Sequence, residues 1–93
     1  MNLELRILID RAAGALKAAG AREIYLFGSA AQGEFGEGSD IDMAVSGLPP
    51  ELFFHAMGEA AAVLPVPLDL IDLDEKTPFS EHLKKKGKLL RVA

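Results

Sequence analysis

The chain has 93 residues, 49% hydrophobic and 26% charged, with a formal net charge of −4 and no cysteine. That balance is globular and suits one domain over residues 1–93, near the small end of what folds alone. Without cysteine there is neither a disulfide nor a thiolate metal site, which suits a reducing cytoplasm, and no apolar run approaches the roughly 20 residues of a membrane span.

The opening "MNLELRILIDRAAG" mixes acids and arginines with its apolar residues, so it does not read as a signal peptide. Leu5, Leu8, Ala12, Leu16 and Ala19 follow steps of three and four and predict one helical face, with Asn2 as N-cap and Gly20 as stop. A short strand is expected from Ile24 to Phe27, ended by Gly28. "SAAQG" then suits one helical turn and "EFGEG" a loop, before "DIDMAVS" alternates into a second strand. "LPPELFFHAMGEAAAVLP" predicts a helix with proline in its first turn, closed by Pro65. "VPLDLIDL" predicts a third strand. In "TPFSEHLKKKG", Thr77 is the expected N-cap, Pro78 the first helical residue and Gly87 the stop. "KLLRV" reads as an edge strand. The order α-β-β-α-β-α-β implies an α/β fold, a small mixed sheet with helices packed on it.

Charge is unevenly distributed along the chain. From Glu23 to Glu75 there are 11 acids and no Lys or Arg. A middle without cations argues against direct contact with a nucleic-acid backbone and favours divalent cations there. Asp40 and Asp42, two apart on a strand, share a face with Cα atoms about 6.6 Å apart. Two carboxylates so placed repel unless a cation or a shared proton intervenes. Taken alone, such a pair more simply caps the exposed end of a strand. The residues before it alter that balance: Gly28 and Ser29 close a strand and open a helical turn, where backbone N–H groups can hold phosphate oxygens. Gly28 has no Cβ, so a phosphate can come close to its backbone.

"GSAAQGEFGEGSDIDMAV", Gly28 to Val45, resembles the nucleotidyltransferases of the DNA polymerase β superfamily, whose pattern is Gly-Ser, a spacer, then apolar-Asp-apolar-Asp-apolar. The likeness is to the minimal nucleotidyltransferases, stand-alone catalytic domains of about this length. It implies the polymerase β-like fold and a third carboxylate on a later strand. Asp69 and Asp72 are the candidates; three positions apart, they face opposite ways on a continuous strand. The resemblance selects Asp69, which aligns with the family's third acid. It implies that Asp40, Asp42 and Asp69 are catalytic and hold two Mg²⁺ ions, with ATP as substrate. Gly28, Ser29, Gln32 and Ser39 would then contact the nucleotide. One metal would activate an acceptor hydroxyl and the other steady the departing pyrophosphate.

The match departs at one position. Family members often read "GSxARG", whereas here Gln32 stands where that Arg would be, with no charge and no bidentate fork. Lys84, Lys85, Lys86 or Lys88 could supply the charge, or a partner could; alternatively those lysines form a solvated helix end favoured by the macrodipole. His55 and His82 have no second His or Cys nearby and are not expected to ligate metal. Phe53, Phe54 and Met57 are expected in the core, and Tyr25 as a buried aromatic. The resemblance further implies a small α-helical HEPN-domain partner, a toxin whose tyrosine receives AMP, making this chain an antitoxin. The alternatives are a non-catalytic nucleotide-binding or masking subunit, and an aminoglycoside-type transferase acting on a small molecule.

Overall fold

The computed structural model describes residues 3–33 and 40–93; the Asn2 cap, the "EFGEG" loop and Ser39 lie outside these. The first helix, α1, spans Leu3–Ala18 and buries Leu5, Ile9, Ala12, Ala13 and Leu16. Its buried stripe is centred on Ile9, with Leu8 and Ala19 at the partly buried flank, because positions 5, 9, 12 and 16 keep closest to one 3.6-residue line. Gly20, at φ 121°, ends the helix: its N–H donates to the Lys17 carbonyl, and that of Ala21 to Leu16, both at 3.0 Å. Those paired bonds form a Schellman stop, which satisfies carbonyls the helix leaves free.

Strand β1 is Glu23–Phe27, and the one-turn helix α2 is Gly28–Ala31. Strand β2 is Ile41–Ser46; a 3-10 turn, Pro50–Leu52, then leads into α3, Phe53–Ala62. Strand β3 is Leu68–Asp72, helix α4 is Pro78–Lys86, and β4 is the short edge strand Leu90–Arg91. The sheet runs in the order β3-β2-β1-β4. β2 and β3 are parallel, joined through α3, while β1 is antiparallel to both β2 and β4.

Period-two alternation divides the sheet into two faces. Ile24, Leu26, Ile41, Met43, Val45 and Leu70 point to one side and form the main core with α1 and with Ala56 and Ala60 of α3. Phe27, Ala44 and Leu73 point to the other and pack with Leu83 of α4, where the Phe79 ring meets Phe27 edge-on at 5.7 Å. Phe53 and Met57 pack on the main core as expected, but Phe54 is 76% exposed. It sits about 100° round the helix from Phe53, off the stripe of Phe53, Ala56, Met57 and Ala60. Tyr25 is half-buried, and its hydroxyl donates to Glu23, two residues earlier on the same strand, at 2.7 Å. That bond, with burial second, holds the phenol above its ordinary pKa. His55 and His82 are exposed.

Helix α4 starts on a reciprocal cap. The Ser80 N–H donates to the Thr77 hydroxyl and the Thr77 N–H to the Ser80 hydroxyl, both at 3.0 Å, while Ser80 Oγ donates to the Glu75 carbonyl at 2.6 Å. Thr77→Ala should cost about 1 kcal/mol. For a domain of this size that is a fall of roughly 4–8 °C in the thermal midpoint; an unchanged midpoint would show that the cap does not hold α4 on the sheet.

Candidate active site

The carboxylates meet through strand register. Asp42, second residue of β2, lies opposite Asp69, second residue of β3, in the parallel pair. On its other side Asp42 faces Phe27 of β1, so Phe27, Asp42 and Asp69 form one row across three strands. Residues in register share a face, here the one covered by α4. Asp40 immediately precedes β2 and is exposed, as is Asp69, whereas Asp42 is half-buried.

This crowding shows in the protonation of Asp42. Burial above all, then the charges of Asp69 and Asp40 and a hydrogen bond with Asp69, hold its carboxyl above the usual carboxylate range. A carboxylate pair within hydrogen-bonding reach favours a shared proton or a cation between its oxygens. Asp72 plays a different part: Oδ1 accepts the Asp74 N–H at 2.9 Å and closes the turn after β3. Asp74 in turn accepts from the Ser46 hydroxyl at 2.9 Å and the Gly47 N–H at 2.6 Å. Those acids tie together the end of the sheet away from Asp42.

Gly28 follows Phe27 and has φ 70°, a conformation that favours glycine. A Cβ at this position would clash with the Asp42 carboxylate, its nearest carbon being Asp42 Cγ at 3.1 Å. The missing side chain thus leaves room for the Asp42 carboxylate beside the Gly28 backbone. Ser29 is half-buried within α2, and its carbonyl accepts the Gln32 N–H at 3.1 Å. Gln32 is exposed at the end of that turn. The structure thus brings Asp42, Asp69 and Gly28 into contact or register, with Asp40 and Ser29 adjoining them in the chain.

Metal binding can be tested against these residues. Among the described residues, no three His, Cys, Asp or Glu side chains are gathered into a ready-made metal site. The donor set nevertheless fits Mg²⁺, which is commonly held by one or two carboxylates together with substrate phosphates rather than by an all-protein cage. Asp42 and Asp69 supply those two carboxylates, and Asp40 adds charge from the flank.

Comparison with known proteins gives the family and the fold. Residues 16–92 match the family described as polymerase beta, nucleotidyltransferase. The chain belongs to that family. Among solved structures, this nucleotidyltransferase domain resembles a chain of a toxin-antitoxin structure with AMP-PNP: 25% identity, TM-score 0.71, covering 88% of this chain and 69% of that one. A variant of the MntA-HpeT toxin-antitoxin gives 22% identity and TM-score 0.68, with coverage of 88% and 69%. A protein described as a minimal nucleotidyltransferase gives 24% and 0.69, covering 96% of this chain and 94% of that one. The last two likenesses are of fold. No curated protein matches the chain. The mixed four-stranded sheet with its helices is the polymerase β-like fold expected from "GSAAQG" and "SDID". Among the described residues, no helix is long and apolar enough to cross a membrane.

The raised Asp42 carboxyl has a consequence for stability. A folded-state pKa above the unfolded one means that the native state binds more protons between the two values, so stability falls as pH rises through that window. Asp42→Asn removes the repulsion, and in metal-free protein it should raise the thermal midpoint at neutral pH, with the gain shrinking under acid. A lower midpoint for Asp42→Asn at neutral pH would show that the charged pair is not a source of strain.

Proposed function

We propose that the chain transfers AMP from ATP to a hydroxyl in a Mg²⁺-dependent reaction, acting as the antitoxin of a small α-helical HEPN-type toxin and modifying a tyrosine of that partner. The observation that carries this is the Asp42–Asp69 row beside Gly28, in a domain of the nucleotidyltransferase family. A related structure is a toxin-antitoxin with AMP-PNP, which supports both the nucleotide and the protein partner.

In this reading the acceptor oxygen attacks the α-phosphorus of ATP, a P–O bond to the acceptor forms, and the bond to the β-phosphate breaks to release pyrophosphate. Asp69, exposed and on the outer strand of the pair, takes the acceptor's proton. Asp42, half-buried and fixed between Phe27 and Asp69, orients the metal-binding oxygens, and Asp40 adds a third carboxylate at the strand entrance. Mg²⁺ bound there would lower the pKa of the hydroxyl and neutralise charge on the phosphates. Gly28 and Ser29 present backbone to the triphosphate, and Ser39, next to Asp40 in the sequence, adds a further contact. Gln32 contributes a hydrogen bond without charge. The exposed carboxylates form an acidic, open site, which a basic partner would approach favourably and complete as an acceptor site.

Isothermal titration should find Mg²⁺ or Mn²⁺ binding, tightened by ATP and lost in Asp42→Ala; binding unchanged in that variant would remove the carboxylate row from the function.

Mass spectrometry of the co-expressed toxin should detect added AMP with the wild-type chain. Asp69→Asn should abolish the modification, whereas Asp72→Asn, in the far turn, should retain most of it. The opposite pattern would overturn the assignment of Asp69. A folded complex that protects cells from the toxin with no added AMP would instead favour a masking subunit.

A further inference from the structure

The charge missing at Gln32 has a candidate replacement in an adjoining part of the fold. β4 runs antiparallel to β1, with Tyr25 opposite Arg91 and Leu26 opposite Leu90. Continued backwards by the same register, Leu89 falls opposite Phe27 and Lys88 opposite Gly28. Packing agrees with this continuation, since Leu89 joins the apolar cluster that contains Phe27. Gly87, at φ 63°, ends α4 and sends the chain towards that edge, with the Lys88 N–H donating to the Leu83 carbonyl at 3.4 Å. A groove of about 370 Å³ lies here, lined by Ala31, Gln32, Gly87, Lys88, Leu89 and Leu90. Lys88 therefore shares one groove with the residue whose side chain lacks charge.

Several of the other cations are paired or lie elsewhere. None lies between Glu23 and Glu75 in the sequence. Arg91 pairs with Glu23 at 3.7 Å, Lys84 pairs with Glu81 at 3.7 Å, and Arg6 pairs with Asp10 at 3.9 Å. Arg22 lies by Gly47, at the opposite end of the sheet from Asp42. Lys85 lines a separate hollow on α4 with Pro78, Glu81, His82 and Lys84. Lys88 is exposed and pairs with no carboxylate among the described residues.

We propose that Lys88 is the phosphate-binding cation of this domain, reaching from the segment between α4 and β4 across the Gln32 groove to the β- and γ-phosphates of the bound nucleotide. An ammonium on a flexible stem meets phosphate as a point charge without requiring the planar fork of arginine. The proposal rests on the nucleotide-binding reading above and assigns to one lysine a task that sequence leaves open among four.

The test is equilibrium titration of ATP and of AMP, with Mg²⁺, into the wild-type chain and its variants. Lys88→Met should weaken ATP binding on the order of tenfold. AMP binding should stay unchanged, because AMP lacks the outer phosphates. Lys84→Met and Lys85→Met should bind ATP as the wild type does, and Lys88→Arg should keep most of the affinity. Adding Gln32→Arg to Lys88→Met should restore ATP binding, since both positions line one groove. Wild-type affinity for ATP in a folded Lys88→Met chain, or an equal loss in Lys85→Met, would overturn the assignment of Lys88 and leave the nucleotide reading standing. A wild-type chain that binds no ATP would overturn both.

Discussion

Parallel pairing of β2 with β3 sets Asp42 against Asp69, and the site is organised around that register. Like charges would not be brought together by their own interaction; the pairing is imposed by the apolar residues between and beyond them. Ile41, Met43 and Val45 on β2 and Leu70 on β3 bury their side chains on the opposite face against α1 and α3. A slip of one residue would turn those side chains onto the thinner α4 face and lose the main core. The main core thus offsets the electrostatic cost of the carboxylate pair, which a cation bound there would relieve.

Both faces of the sheet contribute, in unequal ways. The α1/α3 face supplies most of the burial and fixes the strands, while the α4 face is thinner and carries the polar row. Phe27 joins the two functions: it packs on Phe79 and borders Asp42 in register. Helix α4 is anchored by the Thr77–Ser80 cap at one end and Gly87 at the other, so its attachment bears on the surroundings of Asp42 and on the direction taken by Lys88. The domain's charge is sorted by position as well. Asp72 and Asp74 bind backbone and hydroxyl donors at one end of the sheet, whereas Asp40, Asp42 and Asp69 at the other have carboxylates as their close electrostatic neighbours.

Most of the architecture was legible because its signals are local. Alternation marks β2, a proline and a threonine open α4, and glycines end α1 and α4 where positive φ is needed. The family was legible from "GSAAQG" and "SDID", since a short spacing of chemically constrained residues survives where the rest of the sequence diverges. Errors fell where the answer depends on what lies opposite. Phe54 looked like a core residue by composition, yet the α3 stripe passes beside it. Tyr25 looked buried among apolar neighbours, yet its hydroxyl reaches Glu23. The Asp42 carboxylate beside Gly28 was not legible either, since it too depends on what lies opposite.

The sequence by itself determined the element order, the acidic middle, the family and the pair Asp40–Asp42, because each is written within a few neighbouring residues or in composition. The resemblance had already selected Asp69 over Asp72; only the tertiary structure gave the register that sets Asp69 opposite Asp42, the turn that Asp72 closes, and the groove that Lys88 shares with Gln32. The Asp42–Asp69 and Gln32–Lys88 relations join residues 27 and 56 positions apart in the chain, and such separations are set by strand register and helix packing. Periodicity says which side of a strand a residue occupies, but the partner across the ladder follows from how the apolar faces close together.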